Sequence, residues 1–351
     1  MIKFVASRLL YGFLVLLGAV IVVFFIFNVL PGDPVSMMAG QRTDVSTRET
    51  ITKELGLDKP LPKQLWHYLQ DLSPISVHED TPENLVKYEY TKLFKFGEEV
   101  AVLKTPYLRR SFQTNKRVSE IIAENMEGTL WLALAAMLFA TIFGVTFGIL
   151  ASLKQNSFLD HFLVSISVIG ISAPPFVTGA LMAMVFGYYL SDYTGLNSSG
   201  QLWEYGLYGK ELILKNLLLP AITLGLRPLS IIVQLTRSSM LDVLCQDYIR
   251  TARAKGLTQI SIVLKHALKN ALNPVITAVS GWLASLMAGA FFVEYVFNWK
   301  GIGSVTIDAV YSLDFPVVMG STIFVAFIFI IISIFVDILY AAIDPRVRLK
   351  N

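Results

Sequence analysis

The 351-residue sequence is poor in the residue patterns that most often carry chemistry. Its single cysteine, Cys245, excludes an intrachain disulfide framework and a cysteine-ligated metal cluster. It has no G-x-x-x-x-G-K-S/T loop to hold a nucleotide phosphate and no G-x-S-x-G nucleophile elbow. The four histidines are scattered without metal-ligand spacing: His67, His78, His161 and His266. We therefore expect no catalysis and no cofactor or metal bound by this chain.

Charged residues are scarce as well. They make up 16% of the chain, whereas 54% of the residues are hydrophobic, and the mean hydropathy is +0.59. A soluble domain carries about 25% charged residues. The net charge of +3 decides little, because the placement of Lys and Arg relative to a membrane matters more than their sum. The composition therefore predicts a membrane protein.

Six long apolar runs are the main feature of the chain. The first lies between Arg8 and Asp33, and a helix of about 20 residues is enough to cross the hydrocarbon core. A cleavable signal peptide is the alternative for this run, but the core of a signal peptide spans only about 7 to 15 residues and a small-x-small cleavage site follows it. The later runs cover residues 128–153, 162–191, 216–236, 270–293 and 315–336. The sequence predicts an all-α polytopic membrane protein with six transmembrane helices.

The distribution of Lys and Arg predicts the orientation. Six spans place both termini on one face, and most of the basic residues of the short loops and tails lie there. The opposite face keeps only Lys210, Lys215 and Lys300 in its short loops. Because Lys and Arg are retained in the cytoplasm, both termini are predicted to be cytoplasmic and residues 31–127 to form a large extracytoplasmic insert between helices 1 and 2.

The predicted domains follow from these spans. They are the first transmembrane helix (1–30), the insert (31–127), the membrane core (128–341) with a cytoplasmic loop (237–273), and a tail (342–351).

Local signals predict two short helices in the insert. A capping box at residues 46–49 predicts a helix that ends near Gly56. A second helix is predicted after the prolines of residues 59–62, through Leu65 and Tyr68. Residues 73–104 show no clear periodicity, so we predict no regular structure there.

A basic segment, residues 247–274, lies between two apolar runs and shows a helical pattern. Apolar or small residues recur at three- or four-residue steps, at Ile249, Ala252, Gly256, Ile260, Val263, Ala267 and Leu268. The small side chains of Ala252, Ala254 and Gly256 would let another protein approach the backbone. The pattern predicts a docking helix. The alternative is a basic loop that only fixes topology and contacts lipid head groups.

The motifs TARAKG and HALKNALNP in this segment resemble the EAA loop of permeases of ATP-binding-cassette (ABC) importers, in the form used by the oligopeptide/dipeptide family. Arg250, Thr251 and Ala252 take the EAA positions and Gly256 the glycine. Arg250 in place of Glu and Lys269 in place of Pro suit the peptide-transporter variant. The resemblance extends to the first-permease (B-type) subunit over most of the chain, through LPGDP, ELGLDKPLPKQLWHYL, LPAITLGLRPL, RSSML, FVEYVFNWKGIG and DPRVR. Residues 73–105 match least.

The resemblance implies a permease subunit that passes peptides or related small solutes across the bacterial cytoplasmic membrane. The implied partners are a homologous second permease, two ATPase subunits that bind ATP and Mg, and an extracytoplasmic solute-binding protein. The implied ATPase-coupling residues are Arg250, Thr251, Ala252, Arg253, Ala254, Lys255, Gly256 and Leu257. Two other classes remain open: a secondary transporter driven by an ion gradient, and a membrane scaffold or receptor that transports nothing.

Arg227 is a candidate residue of the translocation pathway. It lies near the centre of the fourth predicted span and precedes Pro228. An ionisable side chain at that depth is costly and usually faces a bundle interior or a wet cavity. We expect it to offer a counter-charge to a peptide carboxylate. The alternative is structural: it binds carbonyls freed by Pro228 or pairs with Asp337.

Two further groups are candidates. Pro174 and Pro175 interrupt the third predicted span, which predicts either a pathway surface or a packed kink. Glu294 precedes Gly301 and Gly303, in a segment that the family places on the external face near the gate. An interfacial aromatic belt is the alternative explanation for Tyr295, Phe297 and Trp299.

Overall fold

The computed structural model describes residues 2–29, 52, 58–206 and 209–343. The predicted capping box at residues 46–49 and its helix lie outside the described residues. The chain divides into two compact units. The core unit consists of Met1–Gly12, Asn125–Ser304 and Ile328–Asn351, and the insert unit of Phe13–Glu124 and Val305–Phe327.

The first part of the chain alternates long helices with short elements. Its elements, in order, are α1 (Ile2–Val29), α2 (Leu61–Leu72), β1 (Ile75–Glu79), α3 (Pro82–Tyr88), β2 (Thr91–Phe96), β3 (Glu99–Leu103) and α4 (Val118–Leu153). The second predicted short helix of the insert is confirmed by α2, which starts after Pro60 with Pro62 in its first turn.

The middle of the chain contains a broken helix and a hairpin. Its elements are α5 (Phe158–Ser172), α6 (Pro175–Met184) with a π-turn (Val185–Tyr189), α7 (Ser191–Thr194), β4 (Trp203–Gly206), β5 (Gly209–Leu212) and α8 (Lys215–Leu244). The helix α8 continues through both Pro220 and Pro228.

The last part of the chain carries the basic segment and the C-terminal helices. Its elements are α9 (Asp247–Ala254), α10 (Gln259–Ser261), a π-turn (Ile262–Ala267), α11 (Leu268–Gly289), α12 (Phe291–Val296), α13 (Ile302–Tyr311) and α14 (Phe315–Ile343).

Several helices are long and apolar enough to cross a membrane. They are residues 5–27 of α1, all of α4 and α8, and residues 315–338 of α14. The helices α5 and α6, with the following π-turn, form a pair bent by 109° that counts as one more if it is a single span. The remaining predicted span, 270–293, falls on α11 and α12. The described residues thus contain four or five candidate spans, and the count of six stays a prediction.

The all-α prediction misses two small sheets. The strands β1, β3 and β2 form an antiparallel sheet in that order, and β4 pairs with β5 as a hairpin. The first sheet lies within residues 73–104, where we predicted no regular structure. Val100 and Val102 of β3 are fully buried there, together with Tyr88 and Tyr90.

A buried polar cluster completes the insert unit. The Tyr88 hydroxyl donates to Asp71 Oδ1 at 2.8 Å, and Lys104 Nζ donates to the backbone oxygen of Asp71 at 2.7 Å. Burial lowers the pKa of Lys104 to about 8. Tyr68 of α2 packs against Phe24 of α1, so the short helix is anchored to the long one.

The core unit is built around α8, which packs against α4 and α11. Leu132 of α4, Ile232 of α8 and Val275 of α11 belong to one buried cluster. The α4 residues Gly144 and Gly148, a G-x-x-x-G pair, lie against Ile232 and Thr236 of α8, where a Cβ atom would overlap the neighbouring side chain. Close contact through small residues is how membrane helices pack, so α4 and α8 form a tight pair.

Candidate functional site

Glu294 is the centre of a buried hydrogen-bonded cluster in the core unit. Its side chain, on α12, is completely buried. Oε1 accepts the Thr129 hydroxyl at 2.6 Å, and Oε2 accepts the backbone N–H groups of Gly303 at 2.7 Å and Ser304 at 3.1 Å. Thr129 Oγ1 in turn accepts the N–H of Ile302 at 2.9 Å. The carboxylate therefore caps the start of α13 and joins it to α4 and α12.

Both predicted glycines of this cluster are required by its geometry. A Cβ atom on Gly301 would overlap the Glu294 carboxylate, and one on Gly303 would overlap the Phe291 backbone and approach Glu294 Oε2 to 2.8 Å. The structure thus brings Glu294, Gly301 and Gly303 together, as the sequence analysis grouped them.

Three consecutive residues of α4 hold three other segments. Trp203 Nε1 of β4 donates to Glu127 Oε1 at 3.0 Å, Trp299 Nε1 donates to the Gly128 oxygen at 2.9 Å, and Thr129 binds Glu294. A Cβ atom on Gly128 would overlap the Lys300 oxygen. We call Glu127, Gly128, Thr129 and the groups they bind the Glu294 joint. No local sequence pattern marks these three α4 residues, because their partners lie 76 to 171 residues away.

The aromatic-belt explanation is wrong for two of its three residues. Phe297 and Trp299 are almost fully buried in the core cluster, whereas Tyr295 is exposed. An interfacial belt requires rings on the surface at the level of the head groups. Trp299 instead uses its N–H to fix the Glu294 joint.

Arg227 lies near the middle of α8 with its side chain exposed. Among the described residues it has no hydrogen bond or ion pair. The suggested pairing with Asp337 is not observed, since Asp337 pairs with Arg8 at 3.2 Å. In the isolated chain, the guanidinium is thus available for a partner.

Pro174 and Pro175 lie at the break between α5 and α6. Pro174 is the N-cap residue of α6, with φ −59° and ψ 144°, and Pro175 is the first residue of the helix. The two helix axes on either side differ by 109°. The predicted interruption is confirmed, and its sharpness exceeds that of an ordinary proline kink.

The basic segment consists of two helical pieces rather than one continuous helix. The helix α9 ends at Ala254, and Gly256 then adopts the left-handed conformation with φ +75°. Ile249 and Ala252 pack with Met240 and Ala271, so one face of α9 is locked onto the ends of α8 and α11.

One detail of the predicted docking surface is corrected by the structure. The Ala252 side chain is buried against this chain, whereas Gly256 and Ile260 of the same predicted stripe are exposed, as a docking surface requires. The other residues predicted for coupling are exposed: Arg250, Thr251, Arg253, Ala254, Lys255, Gly256 and Leu257. The basic residues are thus presented on the free side of a fixed helix.

A second ion pair escaped the sequence analysis. Arg237 on α8 forms a two-point pair with Asp160 on α5, with Nε to Oδ1 and Nη2 to Oδ2 both at 2.6 Å. The side chain of Asp160 is only 3% exposed, and it also accepts the backbone N–H of Asn156 at 2.9 Å. The only local signal was Ser157, which caps α5 and precedes Asp160 by three residues.

Metal binding has no support in the part of the chain that the structure describes. No group of three or more His, Cys, Asp or Glu side chains is placed there to hold an ion.

These features define a helical membrane protein with a basic surface segment fixed to its core. Residues 144–349 match the family described as "Binding-protein-dependent transport system inner membrane component", and residues 1–133 match the N-terminal part described for such membrane components. The chain belongs to this family of ABC-transporter permease subunits. It is therefore an inner-membrane permease subunit and not itself an enzyme, which decides against the secondary-transporter and scaffold alternatives.

Relatives and a solved structure agree with this assignment. The chain is 34% identical over 370 residues to the dipeptide transport system permease protein DppB of Escherichia coli (strain K12). It is 35% identical over 351 residues to the glutathione transport system permease protein GsiC of the same strain. Each alignment covers 100% of both chains. An inward-facing structure of the MetNI methionine ABC transporter shares the fold, with 18% identity and a TM-score of 0.51 over 64% of this chain and 97% of that one.

Proposed function

We propose that this chain is one of two homologous permeases that together import peptides, with dipeptides and glutathione as the first candidates. Its similarity over the full length to DppB and GsiC supports this substrate class. Two ATPase subunits that bind ATP and Mg would supply the energy, and a solute-binding protein outside the membrane would deliver the peptide.

We propose six spans with both termini in the cytoplasm and residues 31–127 outside. The domain limits of the sequence analysis, 1–30, 128–341 and 342–351, belong to the same proposal. Two observations support this topology. The insert is polar and part of it forms a sheet, and the segment after α8 has an excess of basic residues.

The single observation that carries the coupling role is the two-sided character of α9. Its buried face is fixed through Ile249 and Ala252 to Met240 and Ala271, while Arg250 and Arg253 project from the other face. A displacement of α9 by an ATPase would therefore move the ends of α8 and α11. Since ATP shifts the permease only through contacts that differ between its states, the exposed residues from Arg250 to Leu257, without Ala252, are the contacts we assign to the ATPase.

The remaining candidate residues take two roles in this proposal. Arg227, Pro174 and Pro175 belong to the translocation pathway, which the unpaired guanidinium and the 109° bend support. Glu294, Gly301 and Gly303 belong to the external gate, where the Glu294 joint would let α12 and the first residues of α13, up to Ser304, move as one body.

The test is ATP-driven uptake by the complete transporter. Proteoliposomes that contain both permeases and both ATPases, with the binding protein outside, are given radiolabelled dialanine or glutathione, with and without enclosed ATP. We expect uptake only with ATP. Uptake driven by a proton or sodium gradient without ATP, or no uptake of either peptide, would contradict the proposal.

A further inference from the structure

The exposed side of α8 carries a polar stripe. Arg227, Gln234 and Ser238 are exposed, and Ile231 continues the same face between them. Their spacing of four, three and four residues places all four positions on one side of the helix. Such side chains are costly against hydrocarbon, so this side of α8 faces water or protein.

The neighbouring helix α5 contributes polar side chains to the same place. A groove of about 620 Å³ lies between α5 and α8, and His161 and Ser165 line it opposite Gln234 and Ser238, while Val164, Ile231 and Leu235 give the rest of its wall an apolar character. Two helices thus turn polar side chains toward one shared space, and polar side chains in a membrane usually face water or protein.

The next face of α5 has the opposite character. Phe158, Phe162, Ile166 and Ile169 form an exposed stripe at helical spacing, and all four are apolar. Ser165 and Ile166 are adjacent in sequence, yet one lines the groove and the other belongs to the apolar stripe. The helix therefore separates a face suited to lipid from a face suited to water.

The ion pair of Asp160 and Arg237 forms part of the groove wall. Because the two charges neutralise each other at 2.6 Å, this part of the wall offers polar atoms without a net charge. A peptide that carries both a positive and a negative end would meet no strong attraction there. Such a surface allows passage without retention.

We infer that the α5–α8 groove is a hydrated exit route through which the transported peptide leaves toward the side of the basic segment. This inference rests on the proposed import of peptides and assigns Ser165, Gln234 and Ser238 as residues that line the route. Arg227 lies on the same side of α8 but outside the groove lining, about 10 Å from Gln234 along the helix at 1.5 Å per residue.

The single native cysteine allows a clean test by chemical accessibility. In a Cys245→Ser background, Ser165→Cys and Gln234→Cys are compared with Ile166→Cys as the matched control. Inside-out membrane vesicles that hold the complete transporter are treated with a membrane-impermeant cationic methanethiosulfonate reagent. We expect the first two variants to be modified at least tenfold faster than Ile166→Cys. Each modified transporter is then reconstituted, and ATP-driven glutathione uptake is expected to fall at least fivefold for the first two only.

Two results would overturn the inference. If Ser165→Cys and Gln234→Cys react as slowly as Ile166→Cys, lipid or a helix of the second permease fills the groove. If they react quickly but uptake persists after modification, the groove is wet without being the route. A failure of the proposed function is distinct from both, because the unmodified Cys245→Ser transporter would then show no ATP-driven uptake of either dialanine or glutathione.

Discussion

At the scale of single residues, Glu294 has the clearest structural role. Within the described part of the chain, its carboxylate is the acceptor for the Thr129 hydroxyl and for the N–H groups of Gly303 and Ser304. A buried donor left without a partner costs about 1–3 kcal/mol. The residue therefore determines how firmly the start of α13, at Gly303 and Ser304, is held to α4.

Removal of this acceptor should loosen the joint in a graded way. We expect Glu294→Ala to lower the apparent melting temperature of the purified complex and to abolish most peptide uptake. Glu294→Gln should cost less, because one amide oxygen still accepts the two backbone N–H groups. Thr129→Val should lower the melting temperature and the peptide uptake by less than Glu294→Ala does. Thr129→Ser keeps the hydroxyl and serves as the control. A Glu294→Ala complex as stable as the native one would contradict this role.

Arg227 should affect how well a peptide is transported according to the charge of its C-terminus. If the guanidinium pairs transiently with a peptide carboxylate, Arg227→Gln should reduce uptake of peptides with a free C-terminus several-fold and leave C-terminally amidated peptides unaffected. Uptake of both kinds, in competition, measures the difference. Arg227→Lys keeps the charge and should restore the preference. Equal uptake of both peptides by Arg227→Gln would remove this residue from the pathway.

The sequence identified some of these residues and not others for a physical reason. Arg227, Glu294 and the glycines stand out locally, because a charge in an apolar run or a Gly-rich turn is visible within a few residues. Thr129 and Asp160 are ordinary residues in ordinary helices. Their importance comes from partners 165 and 77 residues away, which only the folded chain brings close.

At the scale of elements, the lengths of the apolar runs were enough to predict the long helices, but they did not predict where those helices begin and end. The helix α4 starts at Val118, ten positions before its apolar run, because polar residues continue a helix once it has formed. The sheet of the insert unit gave no signal. β1 and β3 have only five residues each, and β2 is exposed along its whole length and carries a bulge, so no alternation is visible.

The turn after α9 makes a precise test of coupling possible. Gly256 has φ +75°, and a Cβ atom there would meet nothing within 4 Å. We expect Gly256→Trp to insert normally but to separate ATP hydrolysis from uptake, because the indole projects from the surface assigned to the ATPase. Gly256→Asn is the matched control, since Asn tolerates the left-handed conformation. The ratio of peptide imported to ATP hydrolysed is the measurement, and a normal ratio in Gly256→Trp would count against the coupling role.

At the scale of the whole molecule, the orientation of the chain in the membrane can be tested with its single cysteine, Cys245. Cys245 is exposed directly after α8 and should lie in the cytoplasm. An impermeant maleimide should label it in inside-out vesicles of the native protein and not in intact spheroplasts. In a Cys245→Ser background, Glu98→Cys, in the exposed turn between β2 and β3, should show the reverse. Labelling of Cys245 from outside would invert the proposed topology.

The arrangement of Glu127, Gly128 and Thr129 has a consequence for how this protein can evolve. Each of these neighbours forms a hydrogen bond with a different distant segment of the chain. Glu127 does so through its carboxylate, Gly128 through its backbone oxygen and Thr129 through its hydroxyl. A mutation that shifted this single helical turn would need simultaneous compensation at three remote places. Among natural variants, we therefore expect these positions to change together with their partners or to remain unchanged.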